Sequence, residues 1–569
     1  MTHRHSPFVP VGGAATRCYA APAVRTPLLL YGLALVVRGL LIWHFPDPAY
    51  PDSAYYVDVA RALQAGHGFN IDLVWIFAEV GGKIPAVPTL PIPSNGHWMP
   101  LASIVQVPFL AVFGNVAWAA AAPFALIGAL AAPLTWVIAR EVGARPSVAI
   151  GAGVLVAIPA LSTVYMVQPD NFSLYQPLVV AALWMAARGL KGSGGSFILG
   201  GLFAGLATLS RNDGLLVLVT LGLAFAWDRW KGWRSGGSRT PAIPVAAAVA
   251  CVAVFVLVMA PWWARQLAVF GSLSPSTASG KVLFIRDIGE WNSITTPATL
   301  DHLLGQGLGP LIGSRIGGLV AALMIYATLV GGLILAPFMV IGGWARRRSI
   351  HFGPFFTFAF LLFAFSALIS AVHVPGGTFI HSAVALAPYS YILALEGIVV
   401  AVGFVAARRK AWNAETAARL FTTTAIGFSI VIAIFGALSV HQTWAARRDA
   451  ALTVATALDA AGAPATDRVM SIDAASTKYW SGHGGVVLVN DPIDTIEAVA
   501  RAYDIRWLAL DRGESVAAVG PVLDGSAVPS WLGAPIVTAG DPTTLAVYPV
   551  CLQPGDPRCA GTTTAEGGL

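Results

Sequence analysis

The sequence predicts a polytopic α-helical membrane protein of about eleven transmembrane helices, with a small α/β domain at its C-terminal end on the non-cytoplasmic side. Three observations carry this prediction. The 569 residues are 56% hydrophobic and only 11% charged, whereas a soluble domain is roughly 45–50% apolar and about 25% charged. The apolar residues form repeated stretches long enough to cross ~30 Å of hydrocarbon. Lys and Arg are sorted to one set of the connections between these stretches, and Asp and Glu to the other.

Candidate spans fall at 28–45, 115–139, 147–166, 172–187, 196–210, 214–228, 243–263, 316–343, 353–372, 383–405 and 420–440. With the N-terminus in the cytoplasm, that side receives Arg140, Arg145, Arg188, Lys191, Arg229, Lys231, Arg234, Arg239, Arg346, Arg347, Arg348, Arg408, Arg409, Lys410 and Arg419, opposed only by Glu141, Asp228 and Glu415. The other connections hold Asp47, Asp52, Asp58, Asp72, Glu79, Asp170, Asp213, Asp287, Glu290 and Asp301. The positive-inside rule selects this orientation, and an odd number of spans then places the C-terminal segment outside. The net charge of +6 is therefore a topology signal and no evidence of nucleic-acid binding. Arg4, Arg17 and Arg25 precede a first span that contains Arg38, and no small-residue cleavage site follows Trp43, so this span is read as uncleaved. Cys18 lies in the N-terminal tail and Cys251 inside a span, while Cys551 and Cys559 stand near the C-terminus. If that end is outside the cytoplasm, either a disulfide or two free thiols fits the last pair.

Three outer regions are longer than turns: 46–114, 264–315 and the tail after His441. In the first, Tyr56, Val59, Ala60 and Leu63 give a helix with one apolar face, ending near Gly66 and Gly68 and suited to lying in the membrane interface. The run 98–114, interrupted by Pro100 and Pro108, is a second interfacial candidate. The tail has apolar strands at 469–473, 485–490, 506–511 and 544–550, and helical spacing at Ile493, Ile496, Val499 and Tyr503. Strands alternating with a helix imply a small α/β domain, and no phosphate-loop, dinucleotide or HExxH motif makes it catalytic. The expected division is a cytoplasmic tail 1–26, a membrane body 27–445, an outer domain 450–555 and a disordered end 556–569.

An acid at a lipid boundary is costly unless it is solvated or used. Asp52 directly precedes the amphipathic helix, so capping the helix N-terminus is its ordinary reading. Asp170 in MVQPDNF and Asp213 in SRNDG, the latter beside Arg211, also read as turn acids.

The order of motifs alters that balance. PDSAYYVDVARALQAGHGF follows the first span, QPDNF the third, GLFAGLATLSRNDGLL joins the fifth and sixth, PWWARQLAVFGSLSP follows the seventh, and FIHSAVALAPYSYILALEGI enters the tenth. Together, over roughly 27–440, they resemble the multi-pass GT-C glycosyltransferases, the bacterial relatives of protein mannosyltransferases and lipid A aminoarabinose transferases above all. The resemblance implies a plasma (inner) membrane enzyme that moves a sugar from a polyprenyl-phosphate donor to a lipid, glycan or protein acceptor on the outer face, among membrane lipids. It implies an essential acid at the start of the first outer loop, the place of Asp52, as general base in a single inverting displacement. Asp170 matches the second acidic position, positioning the acceptor or sharing a divalent cation with Asp52.

The departing lipid phosphate needs positive charge, for which Arg265, Arg211 and Lys83 are candidates in that order. Arg265 beside Trp262 and Trp263 also reads as a juxtamembrane anchor. Where many relatives have an Arg before the last proline-containing span, this chain has His373 and His381, and His381 is the candidate donor of a hydrogen bond to phosphate. His67 and His97 lack metal-ligand spacing, and His97 is retained with Tyr55 as a substrate-binding candidate. Arg38 and Glu396 are intramembrane charges whose partners the sequence leaves open. The WWDYG motif of oligosaccharyltransferase is absent, which disfavours asparagine glycosylation. A flippase of lipid-linked sugar is the alternative function, opposed by the absence of a repeated half, and a non-catalytic assembly protein is a third.

Overall fold

The computed structural model describes residues 24–236, 238–273, 281–369, 377–409, 413–513, 516–553 and 556–559. The tail up to residue 23, His373, Lys410 and the chain end from residue 560 lie outside these. Among the described residues each expected span coincides largely with helix. Among the described residues six helices are long and apolar enough to cross a membrane, or seven if Pro146–Ala157 and Ala160–Val167, bent by 53°, form one span. The bend falls at Pro159, which has no N–H for a continuous helix. Gly194–Ser210 and Gly353–Ile369 are apolar helices of shorter length, so length alone does not reach the expected eleven. The expected span 316–343 is divided into Leu308–Ile325, a π turn at Tyr326–Val330 and, after a break, Ala336–Arg346.

Small residues set the closest helix packing. A Cβ on Gly342 would collide with the Leu393 carbonyl, and one on Gly397 with the Phe338 carbonyl, so Ala336–Arg346 and Ala387–Ala406 touch backbone to backbone. At one end of this contact the Glu396 carboxylate accepts from Arg346 Nε at 2.7 Å and Nη2 at 2.5 Å, which gives the intramembrane acid its partner. Gly397→Val should therefore lower stability by about 3 kcal/mol or more, seen as a drop in the thermal midpoint of the detergent-solubilised protein. An unchanged midpoint would refute the backbone contact. Arg38 is 1% exposed and donates to the carbonyls of Ala34, Gly128 and Ala157, so it ties the first span to two neighbours.

The helix containing the last expected span runs from Ala414 to Ala460, 47 residues. At 1.5 Å per residue it is about 70 Å long, more than twice the hydrocarbon thickness, and continues into the C-terminal α/β region. There Val454 and Leu458 pack on one face of a sheet, against Val469, Trp507, Ala509, Leu545 and Val547. The sheet has six strands in the order Leu73–Val74, Gly485–Val487, Arg468–Ser471, Ile505–Asp511, Leu545–Pro549 and Val537–Ala539. The first four are parallel neighbours, and the last two pair antiparallel. The expected tail strands are present, with helices Ala474–Ser481 and Ile493–Ala502 between them. Cys551 and Cys559 form a disulfide.

The sheet reaches beyond the expected 450–555, because its edge strand Leu73–Val74 comes from the first long connection. Tyr55, Tyr56, Val59, Leu73 and Ile76 of that connection share one apolar core with Val486, Leu488, Ile496, Leu508 and Tyr548 of the tail. The amphipathic helix Pro51–Gln64 is consequently no interface helix: Ser53 to Ala60 are all buried. Its apolar stripe faces this core, and helix Ala474–Ser481 also packs on it.

Candidate active site

The first long connection, the turn after Val167 and the entries to two further helices meet at one end of the bundle. Pro51 occupies the first turn of its helix and Asp52 follows it, while Tyr50 is the capping residue. Ser53 Oγ accepts from the backbone N–H groups of Ala49 at 3.0 Å and Tyr50 at 3.2 Å. The capping role expected of Asp52 is thus taken by its neighbours, and its carboxylate turns to the site. Asp52 Oδ1 accepts from Trp98 Nε1 at 3.0 Å. Burial pushes the Asp52 carboxyl above its ordinary range, partly opposed by the Trp98 bond and the Arg211 charge.

Asp170 is fully buried. Its Oδ1 accepts from the Asn171 backbone N–H at 2.5 Å and its Oδ2 from the Tyr50 hydroxyl at 2.9 Å. Burial, and then the Asp52 charge, push Asp170 up to about 7, against the Asn171 and Tyr50 bonds and the Arg211 charge. His381 Nδ1 lies 3.5 Å from Asp170 Oδ2 and 3.3 Å from Asn171 Oδ1, and its ring stacks on Phe172 at 4.2 Å. One oxygen each of Asp52 and Asp170 and a nitrogen of His381 lie within 4.8 Å of one another. Two carboxylates and an imidazole are a donor set that could hold a divalent cation, so His381 joins Asp52 and Asp170 as a candidate ligand.

Arg211 leaves the end of helix Gly194–Ser210, and its Nε donates to Asp213 Oδ1 at 3.0 Å. Asp213 also accepts from the Ser382 hydroxyl, next to His381. Asp213 is therefore more than a turn acid: it holds the guanidinium where its charge reaches both site carboxylates.

The other four candidates have different surroundings. Arg265 Nη2 donates to the carbonyls of Phe69 at 3.2 Å and Ser94 at 2.8 Å, and the guanidinium lies over the rings of Phe69, Trp262 and Phe270. These contacts brace the first long connection against the Val245–Phe270 helix. Tyr55 is 0% exposed, with its hydroxyl donating to Glu79 at 2.9 Å and accepting from Asn95 at 2.7 Å. It supports Trp98, on which it stacks at 3.9 Å, and does not line the site. Lys83 is exposed and makes no ion pair among the described residues. His97 packs edge-on against Trp75 and Trp98. Sequence reasoning missed Tyr50 and Trp98, whose signals were a tyrosine directly before PD and a tryptophan after His97.

Behind Trp98 and Tyr55 sits buried Glu79, which also accepts from the Trp75 backbone N–H at 3.0 Å. Burial pushes its carboxyl from 4.5 up to about 7. The fold holds the proton where the unfolded chain releases it. This contribution to stability is fully present below the unfolded value and is lost as the pH rises through about 7. Glu79→Gln should flatten the pH dependence of the thermal midpoint by an effect on the order of 3 kcal/mol between about pH 4.5 and 7. An unaltered slope would exclude Glu79 as its source.

A helical membrane bundle with an α/β region at one end is also the fold of two solved proteins, an ArnT and an oligosaccharyltransferase, and the chain has this fold. Residues 97–263 match the family model of dolichyl-phosphate-mannose-protein mannosyltransferase. ArnT from Cupriavidus metallidurans, bound to undecaprenyl phosphate, aligns at a TM-score of 0.54 and 14% identity over 92% of this chain and 97% of its own. The Archaeoglobus fulgidus oligosaccharyltransferase, in complex with Zn and sulfate, aligns at 0.53 and 14% identity over 92% of this chain and 72% of its own. No curated protein sequence matches significantly.

Proposed function

We propose that the protein is an inverting glycosyltransferase that moves a sugar from a polyprenyl-phosphate donor to an acceptor hydroxyl on the outer face of the membrane. The observation that carries this reading is the pair of the half-buried Asp52 and the buried Asp170, held beside Arg211 and His381 at one end of the bundle. The family match over 97–263 supports the reaction class, and the undecaprenyl phosphate bound by ArnT supports the donor class.

In the proposed step the acceptor oxygen bonds to the anomeric carbon as the bond from that carbon to the phosphate oxygen breaks. The acceptor proton passes to Asp52, and polyprenyl phosphate leaves. Raised proton affinity suits Asp52 to be the base. Asp170, fixed by Tyr50 and Asn171, orients the acceptor, and Arg211 offsets charge on the departing phosphate. Asp52, Asp170 and His381 would hold a divalent cation, which when bound supplies positive charge beside the phosphate.

The test is incubation of the purified protein with radiolabelled undecaprenyl-phosphate hexose and candidate acceptor lipids or peptides. Label in the acceptor is the expected result. Headgroup movement across a liposome bilayer without glycosidic transfer would overturn the proposal in favour of a flippase.

A further inference from the structure

A second concavity lies beside the catalytic pair, in the α/β region. Strand Arg468–Ser471 has Gly485–Val487 on one side and Ile505–Asp511 on the other, and all three are parallel. The chain leaves the first toward one side of the sheet and re-enters the third on the opposite side. A crevice therefore opens at the carboxyl ends of the first and third, which is where open α/β sheets bind ligands. The structure has a partly open cleft there.

Its lining is chemically mixed. Asp473 and Asp511 follow or end the two strands, the long helix supplies Arg447 and Arg448 with the buried Trp444 behind them, and Trp480 comes from helix Ala474–Ser481. Two carboxylates and two guanidinium groups exchange hydrogen bonds with hydroxyl groups in both directions, and their charges offset one another, so the lining holds no net charge for a phosphate to neutralise. The half-buried Trp480 indole offers a flat apolar face to the C–H face of a sugar ring. A neutral polyhydroxylated ring satisfies all of these groups together. The cleft also adjoins the reaction site: Ala49 lines it, and the next residue, Tyr50, donates to Asp170 and lies 6.0 Å from the Trp444 ring.

We infer that this cleft is a saccharide subsite, which holds a sugar unit of the acceptor while another unit reaches Asp52. The inference rests on the glycosyltransferase reading for its role, though not for binding itself. The test is saturation-transfer NMR on the full-length protein in nanodiscs with three neutral disaccharides, mannobiose, cellobiose and lactose, and with inorganic phosphate as a contrast.

Binding of at least one disaccharide is expected, weakened tenfold or more in Trp480→Ala and in Asp511→Asn and retained in Asp52→Asn. Asn keeps the acceptor oxygen that Asp511 offers to the Gly513 N–H at 2.9 Å, so this variant preserves the turn. In a working transfer assay the same two variants should raise the acceptor KM with little change in kcat. No disaccharide bound, binding indifferent to both substitutions, or binding of phosphate alone would overturn the subsite. Disaccharide binding with no transfer by the wild type would leave the subsite standing and count against the proposed reaction.

Discussion

Asp52→Asn should lower sugar transfer by roughly 10²–10⁴-fold, the range that loss of a positioned general base produces. The substitution is nearly isosteric, and the amide oxygen still accepts the Trp98 Nε1 bond, which spans 3.0 Å in the native site. The local geometry is therefore preserved, while the proposed proton acceptor and one negative charge are removed. Retained binding of undecaprenyl phosphate and an unshifted thermal midpoint would show that the loss is chemical. A fall of less than tenfold would remove Asp52 as the base.

Deletion of residues 450–569 should abolish transfer altogether and leave no altered acceptor preference to measure. A tail that merely rested over the membrane body would shape acceptor access alone. The structure gives it a larger part. Strand Leu73–Val74 pairs with Gly485–Val487, and Tyr55 and Tyr56, in the helix that carries Asp52, lie in the same core as Val486 and Leu508. Polar ties reinforce the junction: Tyr479 donates to Asp47 at 3.3 Å, and Asp491 accepts from the Ser293 hydroxyl at 2.7 Å and the Ile294 N–H at 2.7 Å. The deletion strips the Asp52 helix of one side of its core, so segment 46–114 should become sensitive to protease. Gly485→Val probes the same junction without truncation, since its Cβ would collide with the Val469 carbonyl. A truncated protein that still transfers sugar would refute this dependence.

The sequence alone specified the membrane class, the segments that form helices and the expected side of each connection. Apolar length and charge sorting are properties of consecutive residues and need no partner to be read. It also marked Asp52, Asp170, Arg211 and His381, because each stands at a span end within a distinctive motif. The strand Leu73–Val74 was not legible: two residues carry no periodicity, and their conformation depends on a partner about 400 positions away. Nor could spacing separate Arg211 from Arg265. Both are arginines at the ends of apolar runs, and what divides them is their company, Asp213 and the site carboxylates for one, the carbonyls of Phe69 and Ser94 for the other. Tyr50 and Trp98 became site residues only when folding brought the Tyr50 hydroxyl to Asp170 and the Trp98 indole to Asp52. Hydrogen bonds form between atoms about 3 Å apart in space, so the arrangement of the site belongs to the tertiary structure.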